Sequence, residues 1–194
     1  MTDLIASALT TLPAVKEYLS ITASKDDREF KHLINVVSRD CQEYCGREFL
    51  KATYTDEKYD GKGTSTLNLR NYPIIQVTKL VGYRDGIELI EGDHFEVYAA
   101  RGQIVLLGDN KFPISVLGIT ITYDAGYDGI PNLPEELKFS IDMAVAHLYN
   151  EQNKETYNVR RQQKGQFGFA EYIETIYPKR VLVIWGRYSR KRFG

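Results

Sequence analysis

The stretch Tyr123-Asp124-Ala125-Gly126-Tyr127 decides the fold, because the spacing of apolar residues differs on its two sides. Before it, residues 53–123 alternate between apolar and polar side chains, a period of two that is typical of half-buried β-strands. After it, Pro131 and Pro134 lead into a segment whose apolar residues recur at the 3.6-residue period of an amphipathic helix. The stretch therefore predicts where a β-rich region gives way to helical structure.

The same helical spacing occurs before the β-rich region and near the end of the chain. Helices are predicted at residues 12–20, 24–45 and 134–150, and a last short helix begins at Pro178. In the second helix, apolar side chains repeat from Phe30 to Tyr44, and Gly46 ends it. The second and third helices are expected to pack against each other through these apolar stripes.

The β-rich region is expected to be a module of short antiparallel strands that pair in sequence order. Turn signals containing glycine, at Asp60-Gly61, Asp85-Gly86 and Gly102, separate strands as they do in β-hairpins. The predicted strands cover residues 53–59, 65–69, 75–83, 87–90, 95–98, 103–107 and 118–123.

These patterns together predict an α+β fold, in which a helical bundle frame carries an inserted antiparallel β-module and a short C-terminal helix or arm. A chain of 194 residues with 43% hydrophobic content is long enough to bury a core of its own. We expect a main domain over residues 1–177, including the β-module at 53–123, and a basic helix or arm over residues 178–194.

The distribution of apolar residues excludes a membrane-spanning protein. No apolar run approaches the roughly 18 residues of a spanning helix, and the N-terminus lacks the basic start and apolar core of a signal peptide. We therefore expect a protein that is made in the cytoplasm and has no membrane partner.

The formal net charge of -1 hides an uneven distribution along the chain. Residues 1–157 contain 16 Lys and Arg against 24 Asp and Glu, a net charge of -8, whereas residues 158–194 contain 9 against 2, a net charge of +7. A basic tail on an acidic body favours docking onto a negatively charged partner, either an acidic protein surface or a phosphate backbone. A basic end that is simply solvated is the alternative.

No motif in the chain supports catalysis. The sequence has no Gly-x-Ser-x-Gly elbow and no glycine loop for phosphate or dinucleotide binding, and His32, His94 and His147 lie in unrelated contexts. Pairs of acids remain as candidates, but first turns of helices and an exposed hairpin explain them better than paired catalytic carboxylates do. These pairs are Asp26-Asp27, Asp56-Glu57 and Glu135-Glu136.

The two cysteines also favour a structural role. Cys41 and Cys45 lie four residues apart in a predicted helix, where they share a face but are poorly placed for an unstrained disulfide. Zinc needs four nitrogen or sulfur ligands, and no histidine spacing completes such a set with this pair. We expect reduced thiols, no metal, no cofactor and no catalytic residue, and therefore a protein that is not an enzyme.

Nucleic-acid binding through the C-terminal region is the main alternative to protein docking. Positive charge and aromatic rings alternate there, as in surfaces that follow a phosphate backbone and stack bases. The residues concerned are Arg160, Arg161, Lys164, Phe167, Phe169 and residues 187–192. No zinc finger, RNP-type or helix-turn-helix pattern accompanies them, and the acidic remainder of the chain would repel DNA.

Six stretches, in their order and spacing, resemble the head-tail connector (head-completion adaptor) family of tailed bacteriophages. The resemblance covers nearly the whole chain, and the departures from it are Cys45, where the family commonly has a small or polar residue, and the long β-rich middle. The stretches are Leu12-Pro13-Ala14-Val15-Lys16-Glu17-Tyr18-Leu19, Tyr44-Cys45-Gly46-Arg47-Glu48-Phe49, Tyr72-Pro73-Ile74-Ile75-Gln76-Val77, Tyr123-Asp124-Ala125-Gly126-Tyr127, residues 134–149 and residues 177–188.

The resemblance implies a structural virion protein without an active site. Such a protein would form a ring of about twelve copies on the portal vertex after DNA packaging, and packaged DNA would pass through the channel of the ring. It would offer a docking surface to the next connector or tail-completion protein, and would be found at the head-tail interface of the virion and, during assembly, in the host cytoplasm. The alternative is a DNA-packaging accessory that binds nucleic acid through the basic aromatic arm.

The C-terminal arm is expected to dock onto the portal protein. Trp, Tyr and Arg are the residues that most often dominate interface energetics. A helix of fewer than about 12 residues is marginal in water, so binding would supply the packing that this one lacks. The predicted docking residues are Arg180, Trp185, Arg187, Tyr188, Arg190, Lys191 and Arg192.

Overall fold

The computed structural model describes residues 3–82, 86, 88–153 and 176–189. Within this part of the chain there are four α-helices and two three-stranded antiparallel sheets, which confirms a mixed α+β fold. The helices are α1 (Leu12–Leu19), α2 (Asp27–Cys45), α3 (Glu135–Asn153) and α4 (Lys179–Tyr188). The strands are β1 (Ala52–Gly61), β2 (Thr66–Asn68), β3 (Ile74–Val81), β4 (Phe95–Tyr98), β5 (Gln103–Leu106) and β6 (Ser115–Ala125).

The chain forms two compact units. The helical unit contains Met1–Cys45 and Pro134–Gly194, and the β unit contains Gly46–Leu133. None of the helices in the described residues is both long and apolar enough to cross a membrane.

Helix ends in the helical unit follow local chemistry. The Thr11 side chain accepts a hydrogen bond from the backbone N–H of Ala14, and Pro13 occupies the first turn of α1, where its missing N–H costs nothing. Glu135 and Glu136 place negative charge in the first turn of α3, where the helix dipole favours it.

The apolar stripes predicted from the sequence form the core of the helical unit. As expected, α2 and α3 pack against each other, and both also contact α1 and α4. The helix predicted at 24–45 begins only at Asp27, and the helix predicted at 134–150 extends to Asn153. Side chains that are fully buried in this core include Phe30, Ile34, Val37, Leu137, Ile141, Val145, Val181 and Trp185.

The strand order of the β unit differs from the prediction. The sheets have the orders β1-β6-β3 and β2-β5-β4, so β4 and β5 are the only described neighbours that pair in sequence order. Antiparallel pairing is confirmed, but pairing in sequence order is wrong for the other strands. The reason is the long strand β6, which buries Ile119, Ile121, Tyr123 and Ala125 on one face and pairs with both β1 and β3.

The strand predicted at 87–90 is a single bridge in the described residues. Glu88 pairs with Val81 in an isolated antiparallel bridge, and the Leu89 N–H donates to the Leu80 carbonyl at 2.8 Å. This short segment therefore continues the first sheet on the side of β3 away from β6. The predicted turn at Asp85-Gly86 falls largely on residues that lie outside the described ones.

The stretch at residues 123–127 ends β6 by close contact between backbones. The N–H of Gly126 donates to the Pro73 carbonyl, and Tyr127 exchanges backbone hydrogen bonds with Phe49 and Lys51. Gly126 has φ +109, and a Cβ atom there would lie 2.5 Å from the Leu50 carbonyl oxygen. Only glycine fits this position without displacing backbone.

Candidate docking surface on helix α4

Helix α4 has one buried and one exposed face. Val181, Ile184 and Trp185 are buried, whereas Arg180, Val183 and Arg187 are exposed. Arg180, Val183 and Arg187 follow the i, i+3, i+7 spacing of a single helix face. The helix therefore belongs to the core of the helical unit through one side and presents two arginines with the other.

Trp185 is the anchor of the buried face. Its indole ring is 1% exposed, and Nε1 donates a hydrogen bond of 3.1 Å to Ser140 Oγ in α3. The rings of Tyr177 and Tyr44 lie 4.9 and 5.8 Å from it, centroid to centroid. Trp185, which the sequence analysis placed among the docking residues, therefore lies inside the helical unit, where it holds α4 against α2 and α3.

Tyr177, at the start of this segment, is fixed in the same way. It is buried, and its hydroxyl donates to the carboxylate of Asp40 on α2. Burial, together with this hydrogen bond, raises the pKa of Tyr177 above the ordinary value of a tyrosine. The hydroxyl therefore remains a donor throughout the neutral range.

The exposed face continues onto two neighbouring helices. The Arg180 guanidinium lies 5.5 Å from the centroid of the Phe139 ring, and that ring meets Tyr18 edge-on at 5.7 Å. Phe139 and Tyr18 are 40% and 41% exposed. Tyr18, Phe139, Arg180 and Val183 together form a surface that we call the outer patch.

Sequence reasoning missed three members of the outer patch, Tyr18, Phe139 and Val183. Leu137 and Ile141 belong to the buried stripe of α3. Phe139 lies midway between them in the sequence and therefore on another face of the helix, where a polar residue would be expected. An aromatic side chain on the solvent face of an amphipathic helix was the available signal.

The basic residues of the predicted arm differ in their surroundings. Arg187 forms an exposed ion pair with Glu136 of α3, and Tyr188 is half-buried. Across the described part of the chain, no carboxylate lies within ion-pair distance of Arg180. Arg190, Lys191 and Arg192 lie outside the described residues.

The acid pairs considered as catalytic candidates have structural partners. Asp26 accepts a hydrogen bond from Tyr149, and Asp27 pairs with Lys16 at 2.8 Å. Glu135 pairs with Lys138 at 2.6 Å in the first turn of α3. These contacts stabilise helix ends and helix packing, as expected for these two pairs. The expectation for the third pair is wrong, because Asp56-Glu57 lies within β1 and not in an exposed hairpin, and the Glu57 side chain is 15% exposed.

The Glu57 carboxylate is the centre of a polar cluster in the β unit. It accepts hydrogen bonds from the hydroxyls of Tyr59 at 2.6 Å and Tyr123 at 2.7 Å, and from Arg70 Nη1 at 3.0 Å. Burial raises the pKa of Tyr123 to about 12, and the hydrogen bond to Glu57 acts in the same direction. The tyrosine hydroxyls and the Glu57 carboxylate therefore satisfy one another's hydrogen bonds within the β unit.

Metal ligation has no support in the described residues. Cys41 and Cys45 are both buried and free of a disulfide, and no group of three or more His, Cys, Asp or Glu side chains in the described ranges is arranged to hold a metal ion. His94 accepts a hydrogen bond from the Ile90 N–H, and His147 lies 3.1 Å from Glu151.

Residues 8–189 match the model of a protein family described as "Head completion protein". The chain belongs to the head completion protein family. Head completion proteins are structural components of the virion at the head-tail interface and not enzymes, in agreement with the interpretation of the sequence. The resemblance to the head-tail connector family is thereby confirmed.

Solved structures with the same fold come from particles of a gene transfer agent (GTA). A chain in the neck of an empty GTA particle computed with C6 symmetry is 17% identical, with a TM-score of 0.55, and the match covers 98% of this head completion protein and 95% of that chain. A chain in the virion of the native particle is 16% identical, with a TM-score of 0.55 and coverages of 97% and 93%.

A third such chain is found in the neck of the native GTA particle, computed with C12 symmetry. It is 16% identical, with a TM-score of 0.53, and the match covers 97% of this chain and 92% of that one. At these identities the similarity shows a shared fold. No curated protein matches this head completion protein.

Proposed function

We propose that this head completion protein closes into a ring on the portal vertex after DNA packaging and attaches to the portal protein through the outer patch. The observation that carries the attachment is the exposed row of Tyr18, Phe139 and Arg180, in which two rings and a guanidinium with no carboxylate partner among the described residues face solvent together. Aromatic and arginine side chains in such clusters are the usual energetic centres of protein interfaces.

The helical unit would form the wedge-shaped body of each subunit in the ring, and α4 would be the part of it that faces the portal protein. Because Trp185 anchors α4 in the core, Arg180 is held in position before any partner binds. Preorganisation of this kind lowers the entropy cost of association. Arg187 and the basic residues 190–192 would add charge complementarity to an acidic portal surface.

The ring is supported by the symmetry of the particles that contain similar folds, whose necks were computed with C6 and C12 symmetry. About twelve copies would close a ring through a repeated head-to-tail contact. The acidic body, with a net charge of -8 over residues 1–157, would let packaged DNA pass through the channel without adhering. The free side of the ring would receive the next connector or tail-completion protein.

A charge reversal with a matched control tests the attachment. Arg180→Glu removes the guanidinium over Phe139, and Lys179→Glu makes the same change of charge at the neighbouring exposed residue of α4. We expect Arg180→Glu to reduce co-sedimentation with portal-bearing heads about tenfold or more, since an interfacial hot spot is worth about 2 kcal/mol. Lys179→Glu should reduce it much less.

If Arg180→Glu and Lys179→Glu reduced co-sedimentation with heads equally, only the overall charge would matter, and a role for the outer patch would be contradicted. The alternative, a DNA-packaging accessory that binds nucleic acid through the basic aromatic arm, predicts a different result. In that case, deleting residues 190–194 would abolish a salt-dependent gel shift of duplex DNA while both variants still attached to portal-bearing heads.

A further inference from the structure

The first residues of β6 and the residue just before it form an exposed aliphatic surface in the β unit. Ile114 and Val116 are 86% and 87% exposed, and Leu117 is 53% exposed. We call these three residues the aliphatic tip. Large apolar side chains that are exposed next to one another mark a contact surface more often than a free one.

The aliphatic tip extends beyond the rest of its sheet. The last pair between β3 and β6 joins Val81 to Thr120, whereas β6 continues to pair with β1 as far as Ser115 opposite Gly61. The tip therefore lies on a two-stranded extension made by β1 and β6 alone. No strand of the described residues pairs with the outer edge of β1.

The backbone of the tip is fixed before any partner binds. Leu117 has φ +50, an unusual conformation for a branched apolar residue, and its N–H donates a hydrogen bond of 2.7 Å to the Asp60 carboxylate. A Cβ atom on Gly61 would lie 1.8 Å from the Pro113 carbonyl oxygen, so the two strands approach each other closely here. Residues in such sparsely populated conformations persist where the surrounding structure holds them, and they cluster at functional sites.

The chemistry of the tip favours a protein partner. Its side chains are aliphatic. The exposed charged residues that precede it in the chain, or lie at the end of β1 that pairs with β6, are Lys58, Lys62 and Lys111 against Asp60 and Asp109, and the Asp60 carboxylate accepts the Leu117 N–H. Nucleic acid or a lipid surface would be met by a denser set of cations. A matching partner has an apolar centre and an acidic rim.

The same β unit carries such a surface at the edge of the sheet beyond β3. Glu88 bridges to Val81 on the side of β3 that faces away from β6, and this places the following residues at that edge. Ile90 is 56% exposed there, and Glu88, Glu91 and Asp93 are exposed around it. Residues 88–98 contain four carboxylates and no lysine or arginine. We call Glu88, Ile90, Glu91 and Asp93 the acidic edge.

We propose that the aliphatic tip of one copy packs on the acidic edge of a second copy, so that Val116 and its neighbours cover Ile90 while Lys62 and Lys111 approach Glu88 and Glu91. The two surfaces are made of different residues, the tip on the β1–β6 extension and the acidic edge beyond β3, so the contact is heterologous and repeats from copy to copy in a head-to-tail manner. Such heterologous contacts are the kind that can close into a ring. The inference rests on the proposed ring and names the interface that would form it.

Cysteine cross-linking in assembled particles tests this interface. The Ile90→Cys/Val116→Cys double variant of the full chain is incorporated into particles, which are then oxidised with copper phenanthroline and run on a denaturing gel without reductant. We expect a ladder of dimers, trimers and higher multimers, because each copy would be linked to both of its neighbours. Both positions are more than half exposed, so neither change should disturb folding.

The single variants provide the matched controls. Ile90→Cys and Val116→Cys alone should stay monomeric, and a mixture of the two should give dimers that contain one of each. The native chain should give no ladder, since Cys41 and Cys45 are buried.

Particles that contain the double variant but show no ladder would overturn the inference while leaving attachment to the head intact. Links between two Val116→Cys copies would replace it with a symmetric contact. A link from position 116 to a different protein of the particle, identified by mass spectrometry, would assign the tip to that partner instead. Failure of the native chain to attach to heads at all would count against the proposed function itself.

Discussion

Replacing Trp185 with alanine tests whether α4 is part of the folded core or an arm that folds only on a partner. The side chain is 1% exposed, contacts the rings of Tyr44 and Tyr177, and donates a hydrogen bond to Ser140. Truncation of a buried tryptophan to alanine costs about 3–5 kcal/mol, since the cavity collapses only in part. We expect the Trp185→Ala variant to lose this much of its free energy of unfolding.

Trp185→Phe separates packing from hydrogen bonding. It keeps most of the apolar volume and removes the indole N–H with a small part of the ring, while Ser140 Oγ still donates to the Leu137 carbonyl at 2.6 Å. The loss should therefore be about 1–2 kcal/mol, close to one buried hydrogen bond plus a small cavity.

Urea denaturation followed by far-UV circular dichroism gives the free energy of unfolding of the native chain, Trp185→Ala and Trp185→Phe. The native chain has one tryptophan, so its fluorescence reports on the surroundings of Trp185 alone. The emission should be blue-shifted before unfolding and should shift to the red with the loss of helical signal. A loss below about 1 kcal/mol in Trp185→Ala, or native emission typical of an indole in water, would show that α4 is not packed as described.

Three further predictions concern stability. Unfolding should become easier as the pH rises above about 10, because burial raises the pKa of Tyr123 to about 12 and also raises the pKa of Tyr54, Tyr59 and Tyr177, whereas tyrosines of the unfolded chain lose their protons near 10. Tyr123→Phe should reduce the slope of the free energy of unfolding against pH in denaturant titrations across that range, and an unchanged slope would contradict the burial of this hydroxyl. Gly126→Ala should lower the free energy of unfolding by about 2–4 kcal/mol, measured by thermal or urea unfolding. Gly92→Ala, at φ +88 with open space around it, should lower it by only about 1 kcal/mol. Similar losses in both variants would contradict the close backbone contact at Gly126. Ser140→Ala should lower the free energy of unfolding by about 1–3 kcal/mol, because it leaves the indole N–H of Trp185 without an acceptor. An unchanged free energy of unfolding would contradict that hydrogen bond.

The elements of this fold could be predicted because burial imposes a period on the sequence. Phe30, Leu33 and Val37 repeat at helical spacing and are buried on one face of α2, and Ile119, Ile121 and Tyr123 alternate and are buried on one face of β6. The pairing of the strands could not be predicted in this way. The alternation of β6 shows that one face is buried, but it contains no information on which strands lie beside it.

The candidate site shows the same limit. The apolar face of α4 was visible in the sequence, but the sequence could not show that α2 and α3 already cover it, so Trp185 was expected to face a partner. Arg180 was identified by its charge, whereas its partner rings Tyr18 and Phe139 come from α1 and α3 and become neighbours only through helix packing.

The burial of Trp185 changes how the basic end of the chain would act. A helix that folds only on binding spends part of its interaction energy on ordering itself, whereas α4 obtains its order from α2 and α3. Removing the chain after Tyr177 would therefore take Val181, Ile184 and Trp185 out of the core and would confuse loss of folding with loss of attachment. Exposed side chains such as Arg180 can be changed without that cost, and for this reason the role of α4 in attachment is best tested by substitutions on its outer face.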